Sequence, residues 1–175
     1  MIRHLTPADY TVMPWANGRG TTIEMLRETG PDGGLLVRLS IASVVEDGPF
    51  SIFPGVERNL TVICGPGFDL LGETRIAAAP LVPVEFPGDV PMAAIGVTAA
   101  SDDFNVMTAQ ALPRPVVRVV YEGDVVPPPV GRLAIFALEK SQVFGRLLGK
   151  HDLLITDDLV EAICGACIVV ALSTA

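Results

Sequence analysis

The sequence predicts an all-β fold, a sandwich or a barrel. Three observations carry that expectation. Apolar residues recur with a period of two in short runs, as they do along half-buried strands. The 15 prolines and 17 glycines are spread along all 175 residues and punctuate those runs. No segment shows a long apolar stripe at helical spacing, and "TDDLVEAI" allows one short turn of helix at most.

Taken in order, the first strand runs are "TTIEMLRE" and "LLVRLSIASV". Asn17-Gly18, in the preceding "WANGRGTT", is a strong turn dipeptide and suggests a hairpin. In the second run Leu35, Val37, Leu39 and Ile41 share one face, and Leu36, Arg38, Ser40 and Ala42 share the other. "RNLTVICG" places Leu60, Val62 and Cys64 on one face, and two residues before Leu60 on that face stands Arg58. "GFDLLG", "LVPVEF" and "FNVMTA" follow, the last within "SDDFNVMT". There Asp103, Asn105 and Met107 share one face, and Phe104, Val106 and Thr108 the other. "PVVRVVYEG", "LAIFALE", "HDLLIT" and "CIVVAL" complete the set. "LGETRIAAAPLVPVEFPGD" has a weak later echo in "FGRLLGKHDLLITDD", and two small β-barrels in tandem would produce it. "YEGDVVPPPVG", with its three consecutive prolines, reads as a stiff connector between them. The expected division is residues 1–112 and 113–175, with strands free to exchange between the halves.

Charge and composition narrow the function classes. The net charge is -8 and the basic residues are scattered. Such a surface repels phosphate backbones and anionic lipids, so neither nucleic acid nor membrane is an expected partner. The N-terminal stretch lacks the basic start and continuous apolar core of a signal peptide. A cytoplasmic protein is therefore expected. Cys164 and Cys167 form a C-x-x-C, but a zinc site needs about four ligands and neither histidine lies at ligand spacing. With "CIVVAL" continuing as a strand, the cysteines are read as small buried hydrophobes.

"FSIFPGVERNLTVICG" and "FPGDVPMAA" fit the spacing of the two metal motifs of cupin barrels, with every ligand replaced. Taking Gly65 as the closing glycine, the histidine positions fall near Ser51 and Phe53, and the glutamate position falls on Arg58. In the second motif the histidine position falls on Pro91. Ser, Phe, Arg and Pro do not build a transition-metal site, so no metal and no cofactor is expected. An arginine where a metal-binding glutamate would stand converts a cation site into an anion site. Its planar fork suits a carboxylate. A strand-end arginine reaching out to solvent remains the alternative.

The resemblance becomes specific in four ordered blocks: "PWANGRGTTIEM", "RLSIASVVEDGPFSIFPGVERNLTV", "FPGDVP" and "DFNVMT". Together they resemble the signature blocks of the HutD/Ves family over roughly residues 12 to 108. The resemblance implies tandem cupin-like barrels of jelly-roll type in one chain, usually without metal. It also implies a link, in some members, with bacterial histidine utilisation. The role it suggests is binding a pathway intermediate such as urocanate or N-formylglutamate and damping pathway activity. Other members are associated only with stress.

The expected site follows. Arg38 and Arg58 hold the carboxylate, Asn17, Ser40 and Asn105 orient it, and Trp15 and Phe53 wall the pocket. Glu24 either holds an arginine or is solvated. No catalytic residue is assigned. The alternatives are a metal-free isomerase or epimerase and a structural or interaction protein. The first usually wants a His or Tyr acid–base pair, and Tyr10, Tyr121, His4 and His151 all lie outside the matching blocks. A homodimer is left open.

Overall fold

The computed structural model describes residues 1–15 and 20–174. In chain order the strands are β1 (Ile2–Leu5), β2 (Thr11–Pro14), β3 (Thr21–Thr29), β4 (Leu35–Val44), β5 (Gly48–Pro49), β6 (Val56–Cys64), β7 (Phe68–Leu71), β8 (Arg75–Ala78) and β9 (Val84–Pro87). They continue with β10 (Ala93–Ile95), β11 (Ser101–Ala109), β12 (Val116–Val125), β13 (Gly131–Ala137), β14 (Ser141–Val143), β15 (Arg146–Leu148), β16 (Leu153–Thr156) and β17 (Val160–Ser173). The described residues contain one 3-10 turn, Pro7–Asp9, and no α-helix. None of them forms a helix long and apolar enough to cross a membrane.

The chain divides into two compact units, Thr11–Ala111 and Met1–Tyr10 with Leu112–Ala175. The first ten residues group with the later half because β1 pairs antiparallel with β16, Ile2 facing Thr156. Pairing across so great a sequence distance leaves no local signal.

The unit 11–111 holds two sheets. One has the order β2-β3-β4-β11-β6-β9 and the other β5-β10-β7-β8. Val44, Leu60, Val62 and Phe86 from the first join Phe68, Leu70, Ala78 and Ala94 from the second in one buried cluster. The two sheets are unequal. β4, β6 and β11 have 10, 9 and 9 residues, whereas the strands of the smaller sheet have 2 to 4. At about 3.3 Å per residue, a four-residue strand covers less than half the length of a nine-residue one. Part of the long strands' inner face is thus left open beyond the apolar core.

The second unit carries the sheet β1-β16-β13-β17-β14-β15, with β12 also paired to β17. Leu133, Ile135, Val143, Leu148, Leu154, Ile163 and Val169 are among its buried core. Two sequence expectations, the connector and the buried cysteines, are corrected by the structure. The stretch expected as a connector from Tyr121 is strand as far as Val125, because β12 stays paired to β17 through two register shifts. "TDDLVEAI", which the sequence limits to one helical turn, holds none, and Val160–Ser173 is one 14-residue strand. Only Cys167 of the three cysteines is buried. A register shift between Val120 and Glu122 lies opposite Cys164–Cys167, and Cys164 is exposed. Cys64 ends β6 beyond a shift at Asp102/Asp103 and is also exposed.

Candidate functional site

The open part of the long-strand face is a cavity of about 450 Å³ within the unit 11–111. The register sets its floor. Arg38 of β4 faces Met107 of β11, which faces Arg58 of β6, which faces Phe86 of β9. In the neighbouring row Ser40 faces Asn105, and Asn105 faces Leu60. In the next, Ala42 faces Asp103, and Asp103 faces Val62. Because side chains alternate, Arg58 shares the inward face with Leu60 and Val62, and Asp103, Asn105 and Met107 point the same way. The chain between β5 and β6 contributes Ser51 and Phe53 to the wall.

Arg58 is the most constrained of these residues. It is only 8% exposed. Its Nη2 donates to Asn105 Oδ1 at 3.3 Å and its Nη1 to the Ser51 carbonyl at 3.5 Å. Its Nε is buried without a hydrogen-bond partner. The guanidinium carbon lies 5.1, 5.6 and 5.0 Å from the ring centres of Phe50, Phe53 and Phe86. Those π faces favour a cation that water can hardly reach. Burial nevertheless pulls the Arg58 pKa down to about 10; the Asp103 charge opposes this and Arg38 adds to it.

Asp103 and Asn105 form the second element. Asn105 is 3% exposed, and its Nδ2 donates to the Asp103 carboxylate at Oδ1. That bond turns the amide oxygen of Asn105 toward Arg58. Asp103 is 1% exposed, and its Oδ2 has no hydrogen-bond partner. Burial raises its pKa to about 7, against the lowering effects of Asn105 and Arg58.

Arg38 behaves differently. Its Nε donates to Glu24 Oε2 at 2.6 Å. Arg27 lies 3.8 Å from the same oxygen. Residues three apart on a regular strand point to opposite faces, but the register shifts between Glu24 and Leu26. That bulge brings Glu24 and Arg27 to the same side. Glu24 thus neutralises Arg38 and leaves Arg58 as the cation whose hydrogen bonds, among the described residues, reach only neutral oxygens.

Six of the seven sequence-nominated residues, Trp15, Arg38, Ser40, Phe53, Arg58 and Asn105, line this one cavity. Trp15 is held by a 2.9 Å bond from its indole N–H to Thr22 Oγ1. Asn17 lies outside the described residues. Phe50, Phe86 and Asp103 are the consequential residues that sequence reasoning passed over. The available signal for Asp103 was its place two residues before Asn105 on the same strand face. Ser51, Phe53 and Arg58, three of the four positions aligned with cupin metal ligands, line the cavity together. Among the described residues no group of three or more His, Cys, Asp and Glu gathers as a metal site would require. His4, Tyr10 and His151 belong to the other unit. There His4 Nε2 lies 2.8 Å from Asp152 Oδ2, and the Tyr10 hydroxyl donates to the His151 carbonyl at 2.6 Å.

Comparison with known proteins adds to this geometry. The HutD family model matches residues 7–159. HutD from Pseudomonas fluorescens SBW25, solved in a formate condition, is similar with a TM-score of 0.88 and 32% identity. That similarity covers 99% of this chain and 98% of the other. An uncharacterised 21.2 kDa protein in the hutC 3′ region of Pseudomonas putida is 38% identical over 112 residues. Those residues are 62% of this chain and 58% of that relative, less than two thirds of its length. A cupin 2 conserved barrel domain protein from Leptotrichia buccalis matches with a TM-score of 0.54 at 10% identity, covering 87% of this chain and 89% of its own. At that identity the likeness is one of fold, and the fold is cupin-like.

Proposed function

Starting from the fact that this chain belongs to the HutD family, we propose that its arginine-walled cavity binds a small carboxylate of the urocanate or N-formylglutamate kind. The binding needs no metal and serves a regulatory role in histidine utilisation. The observation that carries this reading is Arg58: a buried guanidinium bonded only to neutral oxygens, with an unpartnered Nε. A buried charge that no anion bonds directly costs several kcal/mol, on the order of what a hydrogen-bonded anion returns. Arg38 faces the same space, Ser40 supplies a neutral donor, and Asn105 holds the Arg58 guanidinium in place through its amide oxygen. Phe50, Phe53 and Trp15 suit the flat apolar body of an unsaturated or ring-bearing acid. The pathway assignment draws on the relative in the hutC region. Formate, named in the condition of the P. fluorescens structure, is the smallest carboxylate.

The two-barrel reading of the chain is part of the same proposal. One barrel is the unit 11–111, and the other is built from 112–175 with β1 exchanged into it.

Heating tests the proposal. Millimolar urocanate or N-formylglutamate is expected to raise the melting temperature, and ligand at 100 times Kd adds about 2.7 kcal/mol. An unchanged melting temperature with both acids and with formate contradicts it.

A further inference from the structure

We propose that Asp103 takes up a proton when a carboxylate binds Arg58, so that anion binding is coupled to protonation of a buried protein carboxyl. The inference rests on the carboxylate-site reading above and adds a regulator to that site.

The geometry places two charges and one relay in the same cavity floor. Asn105 donates to Asp103 Oδ1 and accepts from Arg58 Nη2. In the ligand-free protein Asp103 and Arg58 therefore support each other's charge across one amide. Asp103 is almost wholly buried, so water does little to hold its negative charge. A second anion arriving at Arg58 would leave two negative groups sharing one cation in a nearly dry space. Like charges so placed resist joint ionisation, and one of them protonates. The ligand's carboxylate gains the guanidinium directly, whereas Asp103 reaches it through Asn105, so Asp103 yields.

The charge balance closes. An anionic ligand and one proton from solvent enter, the Asp103 carboxylate becomes a neutral carboxyl, and the net charge of the cavity is unchanged. The proton resides on Oδ2, because Oδ1 already accepts from Asn105 and Oδ2 has no partner. Burial has already brought Asp103 close to neutral titration, so the further shift needed is small.

The other charged groups on the packed strands do not substitute for it. Arg38 on β4 is engaged by Glu24 on β3, which Arg27 also approaches. Asp102, next along β11, accepts a bond from the Ser43 hydroxyl. The cavity residues from β5 and the chain after it, Pro49, Phe50, Ser51 and Phe53, carry no charge.

N-formylglutamate is a suitable probe, because it has no group that titrates near neutrality. Its binding is measured by titration calorimetry at pH 8 in Tris and in HEPES, buffers with different heats of ionisation. The expected uptake is about one half to one proton per ligand, with affinity falling toward tenfold per pH unit above about pH 7. Asp103→Asn is expected to reduce the uptake below about one tenth of a proton and to flatten the pH profile. Asp102→Asn is expected to keep both. Uptake below about one tenth in the wild type overturns the proposal, and so does loss of the uptake in Asp102→Asn or its persistence in Asp103→Asn. Should Asp103→Asn fail to fold, the wild-type uptake and pH slope still decide, since each must give the same proton number. A probe that produces neither heat nor a melting shift even at pH 6 counts against the carboxylate site itself, a different failure from binding without protons.

Discussion

Replacing Arg58 by methionine is expected to weaken carboxylate binding by roughly 100-fold or more, equivalent to about 3 kcal/mol. The ligand-free protein should be about as stable as before. Both effects come from the same geometry. In the complex the guanidinium supplies the charge and the planar donor pair, and methionine supplies neither. In the ligand-free protein the guanidinium is a cost. Burial lowers its pKa from the ordinary arginine value to about 10, which corresponds to a cost on the order of 3 kcal/mol. Its contacts with Phe50, Phe53 and Phe86, at about 0.5 to 2 kcal/mol each, together offset an amount of similar size. Methionine fills similar space and makes its own sulfur–ring contacts. Calorimetry reads the affinity and denaturant unfolding reads the stability. Arg38→Met should cost less affinity, because Glu24 already compensates that charge. Affinity within about threefold of wild type in Arg58→Met would remove the residue from the site.

Stability should also fall as pH rises from about 4 to about 7, by on the order of 4 kcal/mol relative to Asp103→Asn. The sign follows from proton binding. Unfolded, Asp103 ionises near 3.8; folded, near 7. Between those values the native state holds a proton that the unfolded chain has lost, so each step up in pH favours unfolding. The contribution is fully present below the unfolded value and gone above the folded one. The groups around Asp103 set its size: Arg58 and Asn105 reduce it and Asp102 increases it. Other carboxylates titrate in the same window, and for that reason the measurement is the difference between wild type and variant. Parallel stability profiles for the two proteins would show that Asp103 ionises freely.

Much of the candidate site is written in local alternation. Arg58 shares a face with Leu60 and Val62, and Arg38 with Ser40, whatever the strands pair with. The cupin spacing then places Ser51, Phe53 and Arg58 near one another without any knowledge of register. What is not legible depends on pairing. The bulge at Met25 brings Arg27 beside Glu24, and no pattern in "TTIEMLRE" announces it. Asp103 reads as an ordinary polar strand residue until β4 and β6 close on either side of β11. The aromatic walls around Arg58 come from two separate segments, Phe50 and Phe53 before β6 and Phe86 on β9, and only the fold joins them. The same holds for β1, whose partner β16 lies some 150 residues away. For the cysteines, register shifts override alternation and expose Cys64 and Cys164.

Whether the Arg58 cavity is an anion site is decided by a crystal grown with saturating N-formylglutamate. Carboxylate-shaped density is expected inside the cavity, with oxygens about 2.7 to 3.2 Å from the Arg58 guanidinium nitrogens. Only water beside Arg58 at saturating ligand, or the acid bound elsewhere with the cavity unchanged, would contradict it.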